Sequence, residues 1–134
     1  MVVDMEILSL SIDDETKKRL DEIQKRLGFK SRSKLLRDAV QSLVKDYEAL
    51  EGLKGTVEIV FVLAYKEAEK NHVSNTVHKF KSSIKSELHQ HGSESCIDVI
   101  NVRADAAKVR EMFGVMKKNR CIYSVVYSVV GVER

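Results

Sequence analysis

Hydrophobic and polar positions alternate near the start of the chain. In MEILSLSIDD, residues 5–14, Leu8, Leu10 and Ile12 fall on one side and Ile7, Ser9 and Ser11 on the other, the period-two pattern of a short strand. Asp13 or Asp14 then offers an N-cap. Leu20, Ile23 and Leu27 follow at helical spacing, and Gly28 stands where a C-terminal helix glycine belongs. Ser31 offers a second N-cap, and Leu35, Leu36, Ala39, Val40, Leu43 and Val44 form a wide apolar stripe on a second helix. One strand and two helices in under fifty residues cannot bury their own apolar faces, and a lone strand has no ladder partner. The expected solution is a dimer in which two strands pair as an antiparallel ribbon and four helices close the core.

The stripe fades in DYEALEGLKGT, residues 46–56, where Gly52 and Gly55 mark a linker or a frayed helix end. Beyond it the period changes repeatedly. TVEIVFVLAY reads as a central strand, and KEAEKNHVSNTVHKFKSSI as a helix with Val73, Val77, Phe80 and Ile84 inward. KSELHQH and CIDVINVRA read as two strands joined tightly, DAAKVREMFGVMKKN as a helix with Val109, Met112, Phe113 and Met116 inward, and CIYSVVYSVVG as a last strand. The order βαββαβ predicts a ferredoxin-like sheet with two helices on one face. The fold class expected is α+β: a first domain over 1–48, a linker over 49–55 and a second domain over 56–134.

Composition changes this picture little. The 134 residues are 43% hydrophobic and 32% charged, as in ordinary globular proteins. No apolar run is long enough to cross a membrane. The opening MVVDMEIL lacks a basic region and an apolar core of the export type, which predicts a cytoplasmic protein with its two cysteines, Cys96 and Cys121, reduced. The net charge of +3 proves no nucleic-acid partner, and residues 1–50 carry ten basic and ten acidic side chains. A case for DNA binding must rest on where those charges sit.

The densest chemistry is in ELHQHGSESC, residues 87–96. His89 and His91 are two apart on a strand, so both leave one face, about 6–7 Å apart at the backbone. A four-residue hairpin connection places His91 opposite Cys96, and cross-strand partners share a face. Two imidazoles and a thiol therefore converge within reach of one ion. Asp98, on the same face, pairs opposite His89 and can accept a hydrogen bond that orients its ring. A fourth donor is wanted, and both His72 and His78 on the preceding helix are available. His78 lies off the Val73–Val77–Phe80–Ile84 stripe, so it points away from its own core. A hydrolytic enzyme is disfavoured: no general base stands out, and four protein ligands leave no position for water. The donors alone do not choose the metal, since a planar arrangement suits Ni(II) or Cu(II) and a tetrahedral one Zn(II).

The strand-helix-helix order over residues 6–45, with GFKSRSKLLRDAV as its most specific stretch, resembles the ribbon-helix-helix family of DNA-binding proteins. The resemblance implies a β-ribbon in the major groove of double-stranded DNA, with Ile7, Ser9 and Ser11 facing base edges. Ser31, Arg32, Ser33 and Lys34 would hold a phosphate at the second helix's N-terminus. Many relatives carry a long polar residue where this chain has Ile7.

The whole layout, with His78, the eleven-residue step to His89, then His91 and Cys96, is similar to the NikR family of nickel-responsive regulators. That resemblance implies a ligand set of His78, His89, His91 and Cys96, with the helix histidine donated by a facing subunit. It also implies Ni(II) as the cofactor, other divalent transition metals remaining open, and an ACT-like second domain in a homotetramer built as a dimer of dimers. The implied function is a metal-gated repressor of metal uptake genes; the alternative is a regulator whose second domain senses another metal or a small organic ligand. The family usually spaces its second strand histidine and its cysteine by five residues, and this chain has four.

Overall fold

The structure, a computed structural model, describes residues 4–133. Met1, Val2 and Val3, at the start of the segment read for an export signal, and Arg134 lie outside the described residues. The chain divides into two compact units between Lys45 and Asp46.

The first unit contains helix α1 (Asp14–Leu27) and most of helix α2 (Arg32–Glu51). The Asp13 carboxylate caps α1 by accepting the Thr16 N–H at 2.6 Å. Gly28 closes the helix in the left-handed region at φ 72°, and the Phe29 N–H reaches back to the Gln24 carbonyl at 3.0 Å. Ser31 Oγ accepts the Lys34 N–H at 3.1 Å and so caps α2.

Residues 4–13 form neither helix nor ladder in the single chain, so the strand read at 5–14 has no secondary structure there. The reason is the one that called for a dimer: a strand exists only through hydrogen bonds to a neighbour, and one chain supplies none. Leu8, Leu10, Ile12, Ile23, Leu27, Val40, Leu43 and Val44 are exposed, while Leu35 is buried. These are the apolar side chains that the dimer expected from the sequence would bury.

Helix α2 continues through Glu51, into the stretch read as a linker. Leu50 is buried in the second unit's core, and Arg110 Nη1 donates to the Leu50 and Leu53 carbonyls at 3.2 and 3.0 Å. The Leu50 carbonyl, in the helix's last turn, is one that a helix end leaves without an intrahelical partner; this bond and the burial of Leu50 hold the helix beyond its amphipathic stripe.

The second unit contains β1 (Thr56–Lys66), α3 (Lys70–His78), β2 (Ile84–His91), β3 (Ser95–Asp105), α4 (Ala106–Lys118) and β4 (Ile122–Glu133). The sheet order is β2-β3-β1-β4, with each neighbouring pair antiparallel. This is the ferredoxin-like arrangement expected from βαββαβ. Strand β1 is central, and Val57, Ile59, Phe61, Leu63 and Tyr65 are buried on its helix-covered side. Val73, Val77, Val109, Met112 and Met116 meet them from α3 and α4.

The long helix read over residues 66–84 is instead three pieces: a 3-10 turn at Glu67–Glu69, α3 itself, and a 3-10 turn at Lys81–Ser83. Phe80 reaches the core from a turn and Ile84 from the first position of β2. Asn71, Val73, Ser74, Asn75 and Thr76 are poor helix formers, so the chain leaves the helix once its buried side chains are seated. Among the described residues no helix is long and apolar enough to cross a membrane.

Candidate metal centre

The β2–β3 hairpin positions the chemistry. Its register sets His91 opposite Cys96 and His89 opposite Asp98. The connection closes through the Gly92 N–H, which donates to the Ser95 carbonyl at 2.6 Å. A Cβ at Gly92 would stand 3.0 Å from that oxygen, so a larger residue there would press on the tight connection. On the other side of β3, Tyr65 at the end of β1 stands beside Cys96.

The ligand atoms of His89, His91 and Cys96 lie within 4.8 Å of one another. Cys96 Sγ is 3.6 Å from His91 Nδ1, and the two imidazole rings meet edge to face with centroids 4.5 Å apart. Cys96 is fully buried, whereas the His89 and His91 side chains keep 31% and 50% of their surface exposed. The thiol thus forms a floor and the imidazoles a rim, and the side left open can admit a donor from outside. Burial pushes the Cys96 thiol up, and the Glu67 carboxylate adds to the shift. A metal held here must therefore displace a proton from sulfur as it binds.

A polar network fixes one imidazole. Asp98 Oδ1 makes a short contact with His89 Nδ1, and the Tyr65 hydroxyl donates to Asp98 Oδ2 at 2.9 Å. The same hydroxyl stands 3.2 Å from His89 Nδ1. Burial, reinforced by the Asp98 carboxylate, pushes the Tyr65 phenol far up, so it remains a donor. With Nδ1 engaged, His89 has Nε2 free to coordinate. Two borderline nitrogens and a sulfur are a donor set that suits a late divalent transition metal.

Tyr65 and Glu67 were not among the residues singled out in the sequence. Tyr65 is the last inward position of the β1 alternation, and only the β1–β3 register places its hydroxyl at Asp98. Glu67 Oε1 lies 3.7 Å from His91 Nδ1.

His78 and His72 do not join the group within one chain. Both are exposed on α3, His78 in its last turn beside Lys81, Lys85 and Glu87. At the N-terminus Ile7 is 99% exposed, and Ser9 and Ser11 are exposed as well. Ser31 caps α2, Arg32 pairs with Asp21 at 2.7 Å, Lys34 pairs with Asp38 at 2.7 Å, and Ser33 faces solvent. Both ion pairs are on the surface and exchange readily for a stronger anion.

Known proteins carry both halves of this arrangement. Residues 6–47 match the family described as ribbon-helix-helix protein, copG family, and residues 54–130 match the NikR C terminal nickel binding domain. A protein of Methanocella arvoryzae named "Putative nickel-responsive regulator" is 28% identical over 109 residues, covering 78% of each chain. Proteins of the same name from Methanothrix thermoacetophila and Methanococcus maripaludis strain S2 are 29% identical over 107 residues and 28% identical over 116. These alignments cover 77% and 83% of this chain and 76% and 82% of those proteins. Among solved structures, the ACT domain of GTP pyrophosphokinase from Chlorobium tepidum aligns with a TM-score of 0.45 at 14% identity, over 59% of this chain and 90% of that one. With the nickel-binding domain matched over more than half of its length behind a ribbon-helix-helix module, the chain belongs to the NikR family of nickel-responsive regulators.

Proposed function

We propose that this protein is a Ni(II)-gated repressor of metal uptake genes, acting in the cytoplasm as a homotetramer on double-stranded operator DNA. The observation that carries the reading is the convergence of His89, His91 and Cys96 within 4.8 Å on a domain joined to a DNA-binding module. Bound Ni(II) supplies strong coordination that ties imidazole and thiolate donors together. His89, His91 and Cys96 hold three of its positions from one chain. His78, exposed at the end of α3 and outside the trident of His89, His91 and Cys96 that its own chain brings together, is donated by a facing chain. Other divalent transition metals fit the same donors, because affinity order alone does not select nickel.

The N-terminal segments of two chains pair as a ribbon, which buries the apolar side chains that one chain leaves exposed. Ile7, Ser9 and Ser11 on the ribbon face base edges, Ile7 through apolar contact with a thymine methyl. Ser31, Arg32, Ser33 and Lys34 at the start of α2 hold a phosphate, with Arg32 and Lys34 leaving their carboxylate partners. His78 joins subunits only when the site is filled, so filling favours those tetramer arrangements in which both ribbons meet one DNA. The coupling is reciprocal: DNA tightens metal binding by the factor by which metal tightens DNA binding.

Selection of duplexes from a random-sequence pool, followed by mobility-shift titration with and without Ni(II), tests this. Nickel is expected to raise affinity for the selected duplex about 5- to 150-fold, the usual range of such coupling. Equal affinity in both conditions overturns the gating.

Asp98 orients His89 in this reading. Asp98→Asn keeps the shape but weakens the acceptor, and metal affinity is expected to fall about 10- to 100-fold. Competition against a chelator measures it, and an affinity unchanged within error removes Asp98 from the site.

A further inference from the structure

We propose that Glu67 is an alternative fourth donor from the same chain, which competes with the facing chain's imidazole and sets which metals gate the protein. The inference rests on the metal site proposed above and concerns its selectivity.

Glu67 opens the 3-10 turn that follows β1. Its backbone N–H donates to the Glu94 carbonyl at 3.0 Å, which fastens this turn to the β2–β3 connection. The residue is thereby held beside the open rim of the trident. Its carboxylate is 3.7 Å from His91 Nδ1, and the side chain is 57% exposed. Among the described residues the carboxylate has no other ion-pair partner, so turning about its own side-chain bonds toward the site breaks no other ion pair. It stands just outside the group of three whose ligand atoms converge.

Two nitrogens, a sulfur and a carboxylate oxygen make four donors from a single chain, the donor count of a closed zinc site. An ion content with those four has no need of the facing chain. An ion that prefers nitrogen over carboxylate oxygen draws in the facing imidazole instead, and only that choice links subunits. Glu67 therefore diverts tetrahedral, oxygen-tolerant ions such as Zn(II) into a state that does not bridge. The alternative donors also predict opposite effects of removing each one.

The test compares wild type, Glu67→Gln, His78→Ala and Cys96→Ala as full-length proteins, with Zn(II) and Ni(II) affinities measured by chelator competition. Co(II) serves as the spectroscopic reporter. Glu67→Gln is expected to lower the ratio of Zn(II) to Ni(II) affinity by about tenfold or more, the least that a lost direct ligand costs when supporting residues already cost that much. It is also expected to weaken the intense visible bands of four-coordinate Co(II). His78→Ala should move the same ratio the opposite way. If Glu67→Gln leaves both the ratio and the Co(II) bands unchanged while Cys96→Ala abolishes the thiolate-to-metal absorption, the role of Glu67 fails and the trident stands. If Cys96→Ala changes neither affinity nor absorption, the metal site itself is wrong. Circular dichroism distinguishes either result from misfolding.

Discussion

Cys96→Ala is expected to eliminate the thiolate-to-metal absorption of the nickel-loaded protein and to cut Ni(II) affinity well beyond the roughly 10–100-fold that supporting residues cost. Cys96 is fully buried at the floor of the site, and the other cysteine, Cys121, donates its thiol to Glu69 at 3.2 Å, outside the converging group. The two imidazoles alone form a partly exposed pair that many divalent ions bind weakly. Alanine fills most of the cysteine's volume and adds no polar atom, so the sheet register around it is preserved. Absorption spectra and chelator competition read the outcome. Retention of the sulfur band, or an affinity unchanged within error, would place the metal elsewhere in the molecule.

The largest loss of stability is expected from Phe61→Ala, at about 3–5 kcal/mol. Phe61 is fully buried on the central strand, and its ring meets that of Tyr127 edge to face with centroids 6.3 Å apart. Tyr127 in turn meets Phe113 at 5.3 Å, so the cavity opens among rings that cannot collapse into it. At about 4–8 °C per kcal/mol for a domain of this size, the thermal midpoint of the second unit should fall by tens of degrees. Val126→Ala, on the uncovered face of the sheet where the side chain is 58% exposed, is the matched control and should shift it little. A drop of only a few degrees for Phe61→Ala would mean that the second unit's core is centred elsewhere.

Nearly all of the second unit was readable from periodicity. The alternation through Val57, Ile59, Phe61, Leu63 and Tyr65 set the central strand, because a side chain's side of a sheet follows from its parity. The His91–Cys96 and His89–Asp98 pairings were readable for the same reason, since a short connection pins a hairpin's register. The segment over residues 66–84 was harder. Its apolar spacing fits one helix, yet 3-10 turns bring Phe80 and Ile84 to the same core, and spacing cannot tell these routes apart.

By itself, then, the sequence determined the order of strands in the second unit and the convergence of two imidazoles and a thiol, both of which follow from local period and short connections. Tertiary structure alone decided that α2 runs on to Glu51 beneath Arg110, that the Tyr65 hydroxyl reaches Asp98, and that Glu67 lies beside His91. Those contacts join residues 33, 24 and 60 positions apart, or turn on how one short loop packs against another. No local periodicity encodes such meetings, because they depend on which strands pair and on what the packed core leaves for the loops.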